Sequence, residues 1–329
     1  MDRGVVADRR PIFYAWLALV VLVALEATYE IFRVGGPSSL YEDWIHGVVL
    51  LASTVLILLR AALERSDRKA WLCLGIAMVF WTVATIAWSI VYGSDAQAPY
   101  PTFADALWLL WYPLVALGLF YLIRTRVPQF ELHRWMDGIA VTLVALIVGF
   151  GFVVQPASSH SPRGVLATIV DFAYPVLDIF LIGAMLGIYG LLSWRPDAMW
   201  LILGLAIVTM SIGDVVFSVQ VERGVAVSSS YDFVWTMGAL LLALAAWLPT
   251  RDVSPGAQRA TGLRAVALAL FAQAVAIGIQ VVSLYRDLGP AERIVTVVLL
   301  LVVSTQVVLA RPKPANEEGA DGDQDPERR

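Results

Sequence analysis

The side chains that could do chemistry in this 329-residue chain are acids that lie within or at the ends of long apolar segments. If such a segment crosses a bilayer, an ionised group inside it costs a few kcal/mol, so these groups are usually retained for a function. Eight ionisable side chains and several aromatic ones are expected to meet in the outer third of the protein. There they would form a pocket for a cation, a proton, or a cationic or hydroxylated small molecule. The predicted ligand-binding residues are Glu26, Glu30, Asp43, His46, Asp105, Trp108, Asp171, Tyr174, Asp214, Asp232 and Trp235.

Each member of this set also has a structural interpretation. Asp43, Asp105 and Asp232 open apolar segments, where a carboxylate can cap the N-terminus of a helix and interact with its dipole. The aromatic residues could belong to the belts that mark both membrane surfaces. Glu26 and Glu30 are four residues apart and therefore share one helix face. Acids that lie inside the apolar runs are the ones that capping does not explain.

Two further polar residues are predicted within the membrane, Asp178 at greater depth and Asp137 at the cytosolic side. Asp178 is near the middle of the sixth apolar segment, and Asp137 begins the fifth. Asp178 follows Pro175 by three residues, and a proline inside a helix frees backbone carbonyl groups. A protonated Asp178 bonded to such a carbonyl is therefore the structural alternative to a functional acid. Tyr112-Pro113 and Tyr174-Pro175 predict kinks that open space between helices.

Most enzyme chemistries lack their characteristic residues in this chain. Its three histidines are scattered, which argues against a bis-histidine haem and a His-rich metal site. The chain has no phosphate-binding glycine-rich loop and no nucleophile elbow. Gly213-Asp214 resembles part of the signature of intramembrane aspartyl proteases, but Ser211 breaks the Gly-x-Gly-Asp pattern. We therefore predict a protein that is not an enzyme and binds no cofactor, metal or nucleic acid.

The composition indicates the elements that must position these residues. Apolar residues make up 59% of the chain, charged residues make up 15%, and the mean hydropathy is +0.74. Since about 20 apolar residues in a helix cross roughly 30 Å of hydrocarbon, the chain is predicted to be an all-α polytopic membrane protein. The ten predicted transmembrane helices cover residues 12–32, 44–63, 70–92, 103–123, 135–154, 165–192, 199–219, 231–248, 265–284 and 294–310.

The basic residues predict the orientation of these helices. Sixteen of the 23 Lys and Arg residues lie on the side that holds the N-terminus, and five lie on the opposite side. Cytoplasmic loops carry the excess of positive charge in membrane proteins. Both termini are therefore predicted to be cytosolic, in a multi-pass protein of the cell membrane.

The chain resembles itself after about 128 residues, which predicts an internal repeat. Two parallel four-helix units are expected at about residues 11–124 and 135–250, related by an axis along the membrane normal. A helix pair at 263–310 would follow them. Residues 71–79 correspond to 200–208, Asp43 to Asp171, Asp105 to Asp232, and Trp108 to Trp235.

Two domains of unequal size follow from this division. Residues 1–310 form the predicted membrane domain, and residues 311–329 form an acidic, disordered cytosolic tail. The single cysteine, Cys73, excludes a disulfide within the chain.

The chain resembles the multi-span N-terminal regions of actinobacterial GGDEF/EAL proteins, which make or degrade cyclic di-GMP. The resemblance rests on P-T-F-A-D-A-L-W-L-L-W-Y-P-L at 101–114, followed by Gly118-Leu119. This stretch is similar to the family signature P-S-x-A-D-x-x-Y-L-x-x-Y-P-L…G-L, with Thr102 where Ser is usual. Further matches, within a resemblance that covers most of residues 10–310, are Met136-Asp137-Gly138, 173–178, Gly213-Asp214 and 232–235. No GGDEF or EAL motif follows the last predicted span, so the resemblance implies a sensory or signal-input module without its output enzyme.

Three functions are compatible with these features. The leading interpretation is a sensor-like membrane protein that binds a ligand at its outer face and acts through a cytosolic or membrane signalling partner. A small-solute or ion-coupled transporter would also use repeats, kinked helices and intramembrane acids. A lipid-embedded scaffold for other membrane proteins is the third interpretation.

Overall fold

A computed structural model describes residues 10–32, 40–92, 100–126, 165–192, 195–222, 231–249 and 297 of the chain. These ranges are helical apart from short connections, and they contain no β-strand. A π-helical turn at Leu40–Ile45 leads directly into the second helix. The α-helices are α1 (Arg10–Phe32), α2 (His46–Leu63), α3 (Arg68–Val91), α4 (Phe103–Arg126), α5 (Val165–Leu191), α6 (Ala198–Glu222) and α7 (Phe233–Trp247).

The helices coincide with predicted spans one to four and six to eight. Six of them are long and apolar enough to cross a membrane, so the chain is an α-helical membrane protein. The remaining one, α7, has only 15 residues, three fewer than its predicted span. It ends early because Leu248 precedes Pro249, and a residue before proline is held in an extended conformation, here φ −73° and ψ 143°. Predicted spans five, nine and ten, together with Asp137, lie outside the described residues.

The first helix separates an apolar outer face from a partly acidic inner face. Side chains three or four residues apart share one side of a helix. The inward side carries Leu19, Val23, Glu26 and Glu30, all at most 3% exposed. The opposite side carries Leu17, Val21 and Leu25, all close to half exposed, and would contact lipid.

Helices α2 to α7 form a closed ring. Each helix packs against the next one in sequence, and α7 packs against α2. The contacts of α4 with α5 and of α2 with α7 join the first half of the chain to the second. Helix α1 lies outside the ring, against the seam between α2 and α7.

Part of the interior of the ring is apolar and closely packed. Where α3, α4, α6 and α7 meet, Met78, Trp111, Met210 and Leu242 line a cavity of about 10 Å³. That volume is about one water molecule, so this cavity cannot hold an organic ligand. Polar chemistry must therefore take place nearer the helix ends or at side chains that contact one another directly.

An ion-pair cluster joins three helices at the end of the ring where α2, α4 and α7 end. Asp67, whose side chain is 1% exposed, is 3.0 Å from Arg60 Nη2 and 2.6 Å from Arg126 Nη2. Arg60 also donates to the Ala246 carbonyl at 2.8 Å, and Trp247 donates to the Leu56 carbonyl at 3.1 Å. These contacts explain why α4 continues one turn beyond its predicted end.

Burial alone raises the pKa of the Asp67 carboxyl, but the hydrogen bond from Arg126 and the charges of Arg60 and Arg126 outweigh it. The pKa of Asp67 is therefore held below its ordinary value of 3.8. A carboxyl group whose pKa is lower in the folded than in the unfolded state contributes its full stabilisation at pH values above its unfolded-state pKa. That stabilisation is lost as the pH falls through the lowered value.

We expect Asp67→Asn to lower the free energy of unfolding by about 3 kcal/mol, because it removes the buried negative charge that two partly buried arginines share. Thermal unfolding in detergent at neutral pH, and again at acidic pH, measures this loss and its pH dependence. Asp197→Asn is the matched control, since that side chain begins α6 by accepting from the Trp200 N–H, which an amide oxygen can replace. Equal stabilities of the two variants at neutral pH would contradict the prediction.

Candidate functional site

Most of the predicted site residues lie between the middle of the ring and the end where α1, α3 and α6 end and α4, α5 and α7 begin. This is the end predicted to be external, and we call it the outer end. Three hydrogen-bonded groups lie in this half of the ring. The outer cluster comprises Glu26, Glu30, His46, Asp232 and Thr236. The central cluster comprises Tyr112, Asp178, Ser211, Asp214 and Trp235, and the cap cluster comprises Thr102, Asp105 and Tyr174.

Glu26 connects three helices in the outer cluster. Its side chain is fully buried, and one carboxylate oxygen lies 2.7 Å from His46 Nδ1 on α2. The other oxygen accepts a hydrogen bond from the Thr236 hydroxyl on α7, also at 2.7 Å. Because α1 lies outside the ring, this carboxylate is a principal polar attachment of α1 to the seam that it covers.

Glu30 lies one turn further along α1 and caps the N-terminus of α7. Its carboxylate accepts from the Phe233 backbone N–H at 2.9 Å, where the positive end of the helix dipole favours an acid. From the sequence, Asp232 was the residue predicted to be able to cap this helix. Asp232 instead has helical backbone angles and makes no side-chain cap hydrogen bond, while its charge acts on Glu30 and His46. The capping interpretation is therefore wrong for Asp232.

The outer cluster is acidic in character. It brings three carboxyl groups together with a single histidine, and such an arrangement attracts cations. Three arginines near this end in the sequence, Arg33, Arg163 and Arg223, lie outside the described residues. Within the part of the chain that the structure describes, no group of three or more His, Cys, Asp or Glu residues is arranged to hold a metal ion.

The central cluster is built around the hydroxyl of Tyr112. That oxygen lies 2.9 Å from Asp214 Oδ2 on α6 and 3.1 Å from Asp178 Oδ1 on α5. Ser211 donates to Asp178 at 2.8 Å, and Trp235 Nε1 donates to Asp214 at 3.0 Å. The structural alternative considered for Asp178 was a hydrogen bond to a freed carbonyl, and the observed partners are Tyr112 and Ser211 instead.

A glycine makes room for the indole in this cluster. Gly213 precedes Asp214, and a Cβ atom at this position would collide with the ring of Trp235. Without that side chain, Trp235 can approach α6 closely enough to donate to the carboxylate. The Gly213-Asp214 pair therefore has a packing explanation that does not involve protease chemistry.

The cap cluster begins α4. Thr102 Oγ1 accepts from the Ala104 N–H at 3.2 Å, and Asp105 Oδ2 accepts from the Thr102 N–H at 2.6 Å, which is a reciprocal capping box. The capping interpretation of Asp105 is thus confirmed. Asp105 also accepts from the Tyr174 hydroxyl on α5 at 3.0 Å, so the same carboxylate joins the two halves of the ring.

Trp108, which was predicted to line the pocket, and the aromatic residues at the ends of α2 and α3 lie outside the three clusters. Trp108 donates to Thr85 on α3 at 3.2 Å, and Trp44 is 70% exposed beside the π-helical turn. Trp88 contacts Tyr92 near the end of α3. The exposure of Trp44 fits the interfacial belt. Asp43 lies in the π-helical turn and Asp171 in α5, and the placement of both side chains lies outside the description.

The structure therefore brings the candidate residues into neighbouring groups instead of one shared pocket. Glu26 belongs to the outer cluster and Asp214 to the central cluster, and consecutive residues of α7, Trp235 and Thr236, connect the two. Tyr112, Ser211 and Thr236 were not predicted. The position of Tyr112 before a proline inside a helix was a sequence signal for this residue. Serine and threonine are common in apolar helices, so no sequence signal distinguished Ser211 or Thr236.

No family model matches the chain, and neither a curated protein nor a solved structure is significantly similar to it. The functional argument therefore depends on the geometry of these clusters.

We expect Glu26→Leu to destabilise the protein by about 2 kcal/mol, because it removes the partner of the buried His46 Nδ1, whereas the Thr236 hydroxyl can still donate to the Phe233 carbonyl at 2.9 Å. Glu26→Gln keeps an oxygen for Thr236 and should cost less. Thermal unfolding in detergent compares both variants with Leu25→Ala, which truncates the adjacent, 47% exposed side chain on the apolar face of α1. A Glu26→Leu variant as stable as Leu25→Ala would show that the carboxylate does not hold α1 in place.

Proposed function

We propose that the chain is a non-enzymatic membrane sensor that binds a small cation at the outer cluster and transmits binding through α1. The resemblance to signal-input regions of cyclic di-GMP proteins supports a sensory role, and the acidic outer cluster supports a positively charged ligand. A signalling partner would then read the position of α1. The full ten-span architecture with cytosolic termini belongs to the same proposal.

The observation that carries this proposal is the double attachment of α1 through buried carboxylates. Glu26 is fully buried and Glu30 is 2% exposed, and both bond to residues of the ring at 2.7 to 2.9 Å. Elsewhere on α1, Leu19 and Val23 pack against the ring and the opposite face contacts lipid. These apolar contacts are not directional, so the two carboxylates contribute the bonds that fix α1 at one position along the seam.

A bound cation would compete for the same carboxylate oxygens. His46 and Thr236 lose an acceptor when Glu26 turns toward a cation, and α7 loses its cap when Glu30 does so. A ligand can shift a conformational equilibrium only by binding the two states with different affinity. The outer cluster meets this requirement, because the same oxygens serve either the ligand or the seam of the ring.

Ion-coupled transport is the second candidate, and the central cluster favours it. At a rise of 1.5 Å per residue, Asp178 lies about 20 Å from the start of α5, which is near the middle of that helix. Acids at this depth commonly line ion or proton pathways. Transport would require uptake across the bilayer, whereas sensing requires only binding.

We also infer that the two halves of the ring are structural copies. In the first half Trp108 donates a hydrogen bond to Thr85, and in the second half Trp235 donates one to Asp214. The two tryptophans are 127 residues apart in the sequence, and the two acceptors are 129 residues apart. Gly75 packs against α2 as Gly204 packs against α5.

The helix contacts also fit a two-fold axis between the halves. In the two copies α2 corresponds to α5 and α4 corresponds to α7. A contact of α2 with α7 therefore requires an equivalent contact of α5 with α4, and both contacts are present. An acid replaces Thr85 in the second copy, so the second half carries the additional chemistry.

Cation binding by the full chain in proteoliposomes tests the proposed sensor role. Sodium, choline and spermidine are each added outside, at constant ionic strength and pH, while tryptophan fluorescence is recorded. At least one of these cations should change the fluorescence saturably, because Trp235 adjoins Thr236 of the outer cluster. Glu30→Gln should weaken the response at least tenfold, whereas Asp197→Asn, at the opposite end of the ring, should leave it unchanged.

Two results would contradict the proposal. A response that is equal in the wild type and Glu30→Gln would place the ligand elsewhere. The uptake of the same cation, carrying a label, is measured separately, and its accumulation inside the vesicles would favour the transporter. Liposomes with the Glu30→Gln variant and empty liposomes give the background of that uptake measurement.

A further inference from the structure

We propose that Asp178 and Asp214 hold one proton between them, bound through the hydroxyl group of Tyr112. The ligand of the central cluster is then a proton, whatever binds to the outer cluster. The inference uses no residue of the outer cluster and does not depend on the proposed sensor role.

The hydrogen count around Tyr112 leads to this assignment. A tyrosine hydroxyl has a single hydrogen, yet its oxygen lies within 3.1 Å of a carboxyl oxygen on each side. Tyr112 can donate to one of them. The second contact joins two oxygens and is attractive only if a carboxyl group supplies the hydrogen. One proton on the pair therefore satisfies both contacts.

The surrounding donors indicate which carboxyl group carries the proton. Each oxygen of Asp214 accepts a hydrogen bond, one from Trp235 and one from Tyr112, which suits an ionised carboxylate. Asp178 is 3% exposed, and its Oδ2 atom has no hydrogen-bond partner among the described residues. The carbonyl oxygen of a neutral acid tolerates this better than a carboxylate oxygen does. Asp178 Oδ1 also accepts from Ser211 at 2.8 Å, and a protonated Oδ1 can accept that bond while it donates to the Tyr112 oxygen. The proton is therefore assigned to Asp178 Oδ1.

The arrangement also lets the proton move without any other reactant. Asp178 Oδ1–H donates to the Tyr112 oxygen, and Tyr112 donates its own hydrogen to Asp214 Oδ2. When Tyr112 passes that hydrogen to Asp214 and accepts the one from Asp178, the O–H bond of Asp178 breaks and one on Asp214 forms. The pair keeps a single negative charge throughout.

The titratable groups around the pair are few among the described residues. Helix α4 contributes Tyr112, and α5 contributes Tyr174, whose hydroxyl bonds to Asp105. Ser211 from α6 and Trp235 from α7 are neutral donors. Two ionised carboxylates this close in a low-dielectric interior would repel each other strongly, which favours the singly protonated pair.

Infrared spectroscopy of the reconstituted full chain tests the proposal at neutral pH. A protonated carboxyl group gives a C=O stretching band that a carboxylate lacks. Asparagine matches a protonated aspartic acid in shape, so each of Asp178→Asn and Asp214→Asn preserves the single negative charge. Either variant should remove the band of one carboxyl group, and the double variant should remove no more than that. Asp197→Asn, at the opposite end of the ring, measures the change that any Asp→Asn substitution causes.

Two outcomes would overturn the assignment. Loss of twice the intensity in the double variant would mean that both acids are protonated. An unchanged band in all three variants would mean that both are ionised and that another cation, such as sodium, neutralises them. Tyr112→Phe provides an independent check, because removal of the bridging hydroxyl should shift the band, while Tyr121→Phe should not. An unshifted band in Tyr112→Phe would equally contradict a shared proton.

Discussion

The structure depends on one constraint: a carboxyl group placed among membrane helices must find its partners inside the protein. Glu26, Asp105 and Asp214 each meet this constraint by bonding to a different helix. The bonds that satisfy these acids are therefore also the bonds that join α1 to the ring, α4 to α5, and α6 to both α4 and α7. Removing such an acid affects helix packing and chemistry together.

The sequence predicted most of the helical architecture in the described ranges. Hydropathy placed each of these helices to within about a turn, because the length of an apolar run is set by the thickness of the bilayer. The cost of an ionised group in lipid correctly indicated that Glu26 and Asp214 face inward. The position of Asp105 at the start of its apolar segment also predicted the cap of α4, since a helix is capped by residues close to its first turn in sequence.

Contacts between distant helices could not be predicted in the same way. Glu30 caps α7 from another helix, so Asp232, the nearer acid in sequence, was assigned a role that it does not have. Tyr112 brings Asp178 and Asp214 together only because α4 packs on α5 at the junction of the two halves. A periodic pattern shows which face of a helix is polar, but not which helix lies opposite that face.

If a cation competes for the buried acids of α1, its binding should change the position of this helix. Electron spin resonance measures that position as the distance between spin labels at Phe13 on α1 and Leu201 on α6, in a Cys73→Ser background. Both positions are more than half exposed and lie at the end opposite the outer cluster. Saturating cation should shift the distance distribution of the otherwise wild-type chain, and Glu26→Gln should show a shifted distribution without any cation. Distributions that coincide in all these samples would contradict the account.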